Sequence, residues 1–447
     1  MAGRNDLMIS VSGIRGIVGS GMNPETAVRF TAAFADRLAG GLVVVGRDTR
    51  PSGPLIATAV FATLQFKGLT AVDLGIASTP TVEIMVDELG AAGGIIITAS
   101  HNGPEWNALK FLNGRGEFLT AEEMDEVSRL AAGEARFAAP SAFGQLFTEE
   151  TGDAVHIRRI LELDRIDRDR IASRGLAAVV DCVNGAGSRI LPALLRSLGV
   201  RVIELFTNVE APFPHNPEPR PEHLGALSEA VARERADVGF ACDPDADRLV
   251  LVDEKGVVLS EELTLALAAD FVLRAEKGPL VGNLSTSRLI DDVGARHGVT
   301  VRRSKVGEAH VIALMRETGA AIGGEGNGGV LYPPLHLGRD AMVGAALILQ
   351  SLAEDGVALS ARAAAFPRYF IVKEKAPFAG DLASVMKRLA ERFEGRLDAL
   401  DGIRIDMDAG WVHLRASNTE PVVRVIAEAR TPEEAQSLAA AARALLG

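Results

Sequence analysis

Cysteine is almost missing: only Cys182 and Cys242 occur among 447 residues. Two thiols are too few for a disulfide scaffold or a cysteine-only metal site, and they fit a reduced compartment. Long apolar runs are missing as well. No stretch reaches the roughly 18 residues that a membrane span needs, although 47% of the residues are hydrophobic. The opening Met1-Ala2-Gly3-Arg4-Asn5-Asp6 lacks the apolar core of a secretory signal, so a cytoplasmic protein is expected. Nor is there an excess of positive charge. Basic residues number 47 against 59 acidic ones, a net charge of −12. That balance argues against a general nucleic-acid surface. An anionic ligand would need a locally basic cleft, which directs attention to arginines beside glycine-rich loops.

What is present is a repeated α/β grammar, in a chain too long for one core. Residues 1–146 read strand at 42–45, helix at 52–66, strand at 71–74, helix at 79–89 and strand at 94–98. Asn23-Pro24 is a helix start, because asparagine caps and proline suits the first helical position. Such alternation predicts βαβ units and a largely parallel sheet. Residues 147–252 begin again, with a helix at 153–163, a strand at 177–180, a helix at 188–198 and strands at 202–205 and 237–241. The proline-rich 212–219 must be a long non-helical loop. Residues 253–366 give a third cycle, and 367–447 differ: closely spaced strands at 402–406, 411–414 and 422–427 predict an antiparallel α+β module. A capping box at Thr431-Pro432-Glu433-Glu434 opens its last helix. The expected fold is therefore three similar mixed α/β domains plus a C-terminal α+β domain.

Four loops carry chemistry. In the first, Ile95-Ile96-Ile97 stops abruptly at Thr98-Ala99-Ser100-His101-Asn102, which delivers a serine to the C-terminal end of a buried strand. Ligands of open α/β sheets gather there. With His101 beside it and Lys110 ten residues on, Ser100 is a candidate nucleophile or covalent carrier. The second loop, Asp243-Pro244-Asp245-Ala246-Asp247-Arg248, also follows a strand. Extended, its carboxylates would spread over roughly 13 Å; a curled loop gathers them. Three like charges then need a cation, and oxygen-only ligands select a hard divalent ion such as Mg²⁺. In the third, Gly323-Gly324-Glu325-Gly326-Asn327-Gly328-Gly329, glycines permit close ligand approach while Glu325 and Asn327 suit vicinal sugar hydroxyls. The fourth, Arg415-Ala416-Ser417-Asn418-Thr419-Glu420-Pro421 with Arg424, groups arginine forks, hydroxyls and loop amides, the usual means of holding a phosphate. Arg15 in Ser12-Gly13-Ile14-Arg15-Gly16, Arg47 in Gly46-Arg47-Asp48-Thr49-Arg50, and Lys305 before Val306-Gly307 add cations at loop positions.

In this order the four loops closely resemble the α-D-phosphohexomutase family, which includes phosphoglucomutases, phosphomannomutases and phosphoglucosamine mutases. The resemblance covers essentially the whole chain. It implies four domains around a central cleft: 1–146 with a phosphoserine loop, 147–252 with a metal loop, 253–366 with a sugar loop and 367–447 with a phosphate loop. By the same resemblance Ser100 is the phosphoserine, and Asp243, Asp245 and Asp247 hold Mg²⁺ together with Ser100. Glu325 and Asn327 would contact sugar hydroxyls, with Lys305 also on the substrate side. Arg415, Ser417, Asn418, Thr419 and Arg424 would grip the distal phosphate. Arg15 matches the family's active-site arginine, Lys110 its candidate general base, and His101 follows the phosphoserine as in relatives.

The implied reaction interconverts hexose 6-phosphate and hexose 1-phosphate through a hexose 1,6-bisphosphate, with Arg15 and Arg248 stabilising charge on the transferring group. The chain departs from the usual pattern in three places: Gly103-Pro104 follows Ser-His-Asn, Asn327 stands where many bacterial members carry serine, and Glu308 where several relatives carry histidine. With Glu105-Trp106-Asn107, this combination looks most like the archaeal-type phosphoglucosamine mutase and phosphomannomutase branch. Glucosamine phosphate is the expected substrate, with mannose and glucose phosphates as alternatives. A metal-dependent sugar phosphatase and a non-catalytic sugar-phosphate binder are the competing readings. The expected partner is a small sugar phosphate, with no nucleic acid or membrane, on a monomer or homodimer.

Overall fold

One strand order recurs in the first three sheets of the computed structural model, which describes residues 7–378, 380–416 and 422–446. In the first unit Leu42–Arg47 lies between Thr70–Ile76 and Gly93–Ile97, both parallel to it, and Trp106–Leu112 closes against Gly93–Ile97 in the antiparallel sense. The second unit repeats this with Ala177–Asp181, Arg201–Leu205, Val238–Cys242 and Leu249–Asp253. The third does so with Leu280–Asn283, Val301–Ser304, Ile322–Glu325 and Gly329–Leu331. Each sheet thus runs second, first, third, fourth in chain order, with helices in the first two connections.

The fourth strand makes each sheet mixed: two of the three ladders among these four strands are parallel and the last is antiparallel. Parallel pairing needs a crossover of a dozen or more residues, whereas 98–105, 243–248 and 326–328 are far shorter. Each therefore turns its strand back against the one before it. The chemistry-bearing segments of the first three units are these short return connections. The first sheet is also widened by an antiparallel hairpin, Leu7–Ser10 with Gly13–Ile17, which pairs onto Trp106–Leu112 and carries Arg15 opposite Ala108.

Capping follows the residue types. Asn23 Oδ1 accepts the Thr26 amide at 2.9 Å and Thr431 Oγ1 accepts that of Glu434 at 3.2 Å. The first nine residues of helix Ala341–Asp355 are apolar on all sides, so that part can only be buried. It lies in a hydrophobic core that runs continuously through the second and third units. The described residues from 370 to 446 form a five-stranded antiparallel sheet covered by helices Leu382–Arg392 and Pro432–Arg443, with a core of their own. The buried Arg404 guanidinium fastens this unit to the third by donating to the Leu284 and Thr286 carbonyls. Among the described residues no helix is long and apolar enough to cross a membrane.

Candidate active site

All four units contribute to one polar cleft of about 460 Å³, whose lining includes Arg15, Ser100, Lys110, Arg248, Glu325, Asn327, Arg415 and Arg424. Ser100 itself is 3% exposed and takes a left-handed backbone, φ +50°. For a residue with a Cβ this costs on the order of 1–3 kcal/mol, so surrounding structure must impose it. Arg50 does so. Its buried guanidinium donates to the carbonyls of Ser100 (2.8 Å), Gly103 (3.0 Å) and Trp106 (2.6 Å), and pairs with Asp48 at 2.7 Å. Asp48 also accepts from Thr98 Oγ1 at 2.6 Å, and that oxygen accepts the Ser100 amide at 2.9 Å. Of the two arginines in 46–50, the sequence drew attention to Arg47, but Arg50 is the one that builds the loop. Arg47 lies at a second cavity, facing Asp73 and Arg189.

The aspartates converge. Ala246, at φ +54°, curls the loop, and one oxygen from each of Asp243, Asp245 and Asp247 lies within 4.8 Å of the others. Ser100 Oγ donates to Asp243 Oδ2 at 2.8 Å and lies 3.3 Å from His101 Nδ1. Lys110 Nζ donates to Asp245 Oδ2 at 2.7 Å, and Thr79 Oγ1 donates to the same oxygen at 2.7 Å. Asp245 Oδ1 and Asp247 Oδ1 are buried with no hydrogen-bond partner. Burial together with Asp247 and Asp245 pushes the Asp243 carboxyl well above the usual range. Two orphaned carboxylate oxygens beside a third carboxylate fit a hard divalent cation, which would relieve both the repulsion and the missing contacts.

Around this centre burial and neighbouring charges decide which basic groups are charged. Burial pulls Lys110 down, but Asp245 and Asp247 more than offset it, so the group is held above its usual range as an ammonium. Burial, with Arg248 and Arg15 nearby, pushes His101 well below its usual range, so it is a neutral imidazole. Arg15 donates to Asn102 Oδ1, and burial lowers it to about 10. Arg248 Nε faces Asp243 and Asp247 at 3.8 and 3.7 Å.

Glu325 is held on both oxygens: Asn283 Nδ2 (2.8 Å) and the Gly307 amide (3.2 Å) reach Oε1, and Arg339 Nη1 (2.8 Å) reaches Oε2. Neither Asn283 nor Arg339 stands out in the sequence, since neither lies in a patterned loop. In the last unit Arg415, Arg424 and Lys375 occupy directly paired positions on three adjacent strands, so three cations share one face of the sheet at the cleft. Lys375 was not foreseen either. It sits on another strand, and only the pairing register sets it opposite Arg424.

The structure does not bring every expected residue to the cleft. Lys305 is exposed and does not line it, although its neighbours Val306 and Gly307 do. Ser417, Asn418 and Thr419 lie outside the described residues. The proline-rich loop was expected only to be non-helical, yet it forms one wall of the cleft through Glu218, Pro219 and Arg220. Its Phe213 ring lies against the Arg50 guanidinium.

Fold and cleft together define a four-part α/β enzyme whose loops meet at one polar centre. Residues 7–136, 154–256 and 260–369 match the models described as phosphoglucomutase/phosphomannomutase, alpha/beta/alpha domains I, II and III, and 370–445 match the C-terminal domain. The chain is 38% identical to a protein named probable phosphoglucosamine mutase from Methanopyrus kandleri, over 96% of this chain and 95% of that one. It is 39% identical to a phosphoglucomutase/phosphomannomutase from Thermococcus kodakarensis, over 95% of each. A solved phosphoglucomutase/phosphomannomutase family protein from Burkholderia thailandensis superposes with a TM-score of 0.85 at 28% identity, covering 98% of both chains. The chain belongs to the phosphoglucomutase/phosphomannomutase family, and it is an isomerase of the phosphohexomutase type.

Proposed function

We propose that this enzyme is a phosphoglucosamine mutase acting through a phosphorylated Ser100 and a hexose 1,6-bisphosphate, with Asp243, Asp245 and Asp247 holding Mg²⁺. The observation that carries this reading is the contact of Ser100 Oγ with Asp243 at 2.8 Å, beside two orphaned aspartate oxygens. Bound there, Mg²⁺ would neutralise the phosphoryl oxygens. The protein's own groups supply the rest. The Ser100 Oγ–phosphorus bond breaks as a sugar hydroxyl oxygen bonds to phosphorus, and the hydroxyl proton ends, overall, on Ser100 Oγ. His101 Nδ1, neutral and 3.3 Å from Oγ, is the group placed to accept it, while Lys110, an ammonium paired to Asp245, can take part only by giving up a proton as it receives one. Arg15 and Arg248 face the transferring group and offset its charge. The cation row Lys375, Arg424 and Arg415 holds the phosphate that is not reacting, and Glu325 with Asn327 orients the ring between. A bisphosphate that turns over in the cleft presents its other phosphate to Ser100, so the phosphate grip and the serine must stand on different domains. We take those domains as 1–146, 147–252, 253–366 and 367–447.

Glucosamine phosphate is favoured by the archaeal relatives so named. The test is turnover of glucosamine, mannose and glucose 1-phosphates with glucose 1,6-bisphosphate present. Preference for mannose or glucose would move the substrate within the family. Steady release of inorganic phosphate without interconversion would make the enzyme a phosphatase instead.

A further inference from the structure

Arg339 belongs to none of the four loops, yet it touches two of them. Its guanidinium, 8% exposed, donates to Asp247 Oδ2 at 2.5 Å, to Glu325 Oε2 at 2.8 Å and, through Nε, to Glu308 Oε2 at 3.0 Å. The Arg339 amide also donates to Glu308 Oε1 at 2.6 Å. Asp247 comes from the second unit, and Glu325 and Glu308 from the third, so one planar fork bridges the candidate metal and sugar loops.

The surrounding structure is arranged to keep that fork in place. A Cβ at Gly329 would fall on the Arg339 side chain, so the glycine of the sugar loop leaves the channel through which the arginine passes. On the next residue, Asp340 Oδ1 caps helix Ala341–Asp355 by accepting the Met342 amide at 2.7 Å, while Oδ2 faces His156 Nε2 at 2.8 Å. The Asp340 amide donates to the Val330 carbonyl at 2.9 Å. The backbone that carries Arg339 is thus anchored by the helix, the hairpin and the second unit. Its contacts are also selective. Arg339 occupies Asp247 Oδ2 and leaves Oδ1 as one of the orphaned oxygens at the aspartate centre. It occupies Glu325 Oε2 while Asn283 and Gly307 hold Oε1.

We propose that Arg339 is a positioning residue that sets the metal loop and the sugar loop in one common geometry, so that divalent-cation affinity and hexose-phosphate affinity rise and fall together. This deepens the mutase reading and rests on it for the identity of the two sites. Glu308 is the anchor of the device. It hydrogen-bonds to neither Asp247 nor Glu325, and it acts by holding the arginine from its far side.

Calorimetry on the full chain tests this with two probes, Mg²⁺ alone and glucose 6-phosphate alone, in the unmutated protein and in Arg339→Met, Arg339→Lys, Gly329→Ala and Glu308→Gln. Arg339→Met and Gly329→Ala are expected to weaken both affinities by about tenfold, the lower end of what lost support of a metal ligand costs. Gly329→Ala does so with the charge retained, by displacing the fork. Arg339→Lys recovers only part of either affinity, because one ammonium cannot serve three carboxylates in a plane. Glu308→Gln shifts both in the same direction by less. A change in one affinity without the other overturns the proposal, as does a lowered melting temperature with both affinities intact. If Arg339→Met does not fold, Glu308→Gln and Gly329→Ala decide the matter by the same criteria. Because both readouts are binding, a protein that shows the joint shift but no mutase turnover would sink the proposed function and leave the coupling standing.

Discussion

Arg50 Nη2 donates to the carbonyl of Ser100 at 2.8 Å across fifty residues of chain, and the same guanidinium pairs with Asp48 at 2.7 Å, both side chains fully buried. The candidate phosphoserine therefore stands on a loop whose carbonyls converge on one cation. Removing that cation leaves Asp48 buried without its ion partner, which costs about 3–5 kcal/mol in comparable pairs. Arg50→Met is expected to lower unfolding free energy by that order in urea titrations and to abolish turnover. Asp48→Asn combined with Arg50→Met should recover part of the stability but none of the activity. Full stability in Arg50→Met alone would show that the loop is held by something else.

Ser100→Ala separates chemistry from folding. The serine side chain contributes hydrogen bonds to Asp243 and His101 but no apolar packing, and alanine shares the same backbone preference. Its thermal transition should stay within a few degrees of the unmutated protein, while mutase turnover falls to background. Intact-mass analysis of the unmutated protein should show a phosphorylated fraction that the variant lacks. A phosphate mapped to another residue would remove Ser100 from the mechanism.

Asp245→Asn tests the acidic centre from a different side. Asp245 Oδ2 is occupied by Lys110 and Thr79, which leaves Oδ1 for a cation. The amide keeps the shape but loses a ligand charge, so Mg²⁺ affinity should drop by at least about tenfold, seen directly by calorimetry. Unchanged Mg²⁺ affinity and unchanged metal dependence of turnover would place the ion elsewhere.

The cation row of the last unit gives a prediction about substrate rather than metal. Lys375 is paired with Arg424, which is paired with Arg415, so the three charges project from one face at the cleft. Lys375→Met should raise KM for hexose phosphates by roughly tenfold while changing kcat little. The reason is that a grip on the non-reacting phosphate stabilises ground and transition states alike. A fall in kcat at constant KM would mean that Lys375 takes part in the transfer itself.

What could be read from the chain was whatever is encoded locally. Asp243, Asp245 and Asp247 announce themselves because like charges at alternate positions after a buried strand have few bland uses, and Ser100 because a β-branched run stops beside it. The three-fold α/β repetition was legible for the same reason: strand and helix periods are short-range signals. The antiparallel return of the fourth strands was encoded as well, in the turn residues Asn102-Gly103-Pro104 and Asn327-Gly328, but the same residues also suit ligand-binding loops and so do not fix strand direction alone. Arg50 was hidden by its neighbour. Arg47 and Arg50 have the same chemistry, and only the fold decides which guanidinium meets the Ser100, Gly103 and Trp106 carbonyls. Arg339 was hidden by distance, since Asp247 lies 92 residues before it and no local period links them.

The wall formed by the proline-rich loop should respond to pH through one histidine. His215 Nε2 lies 3.1 Å from Asp181 Oδ2, and that aspartate ends the first strand of the second unit. Burial lowers the His215 pKa, but the hydrogen bond and charge of Asp181 outweigh it and leave the imidazole above its usual 6.5. A group raised in the folded state binds its proton more tightly there than in the unfolded chain. Its stabilising contribution is therefore complete below pH 6.5 and is lost as pH rises through the raised value. Urea midpoints should fall over that window in the unmutated protein more steeply than in His215→Gln, which cannot titrate. The difference between the two curves should become constant at high pH, where both side chains are neutral. If the two proteins lose stability in parallel across that window, Asp181 does not raise the His215 pKa in the folded state. The loop would then be held by Phe213 on Arg50 and by Asn184, which donates to the Pro212 carbonyl at 2.8 Å.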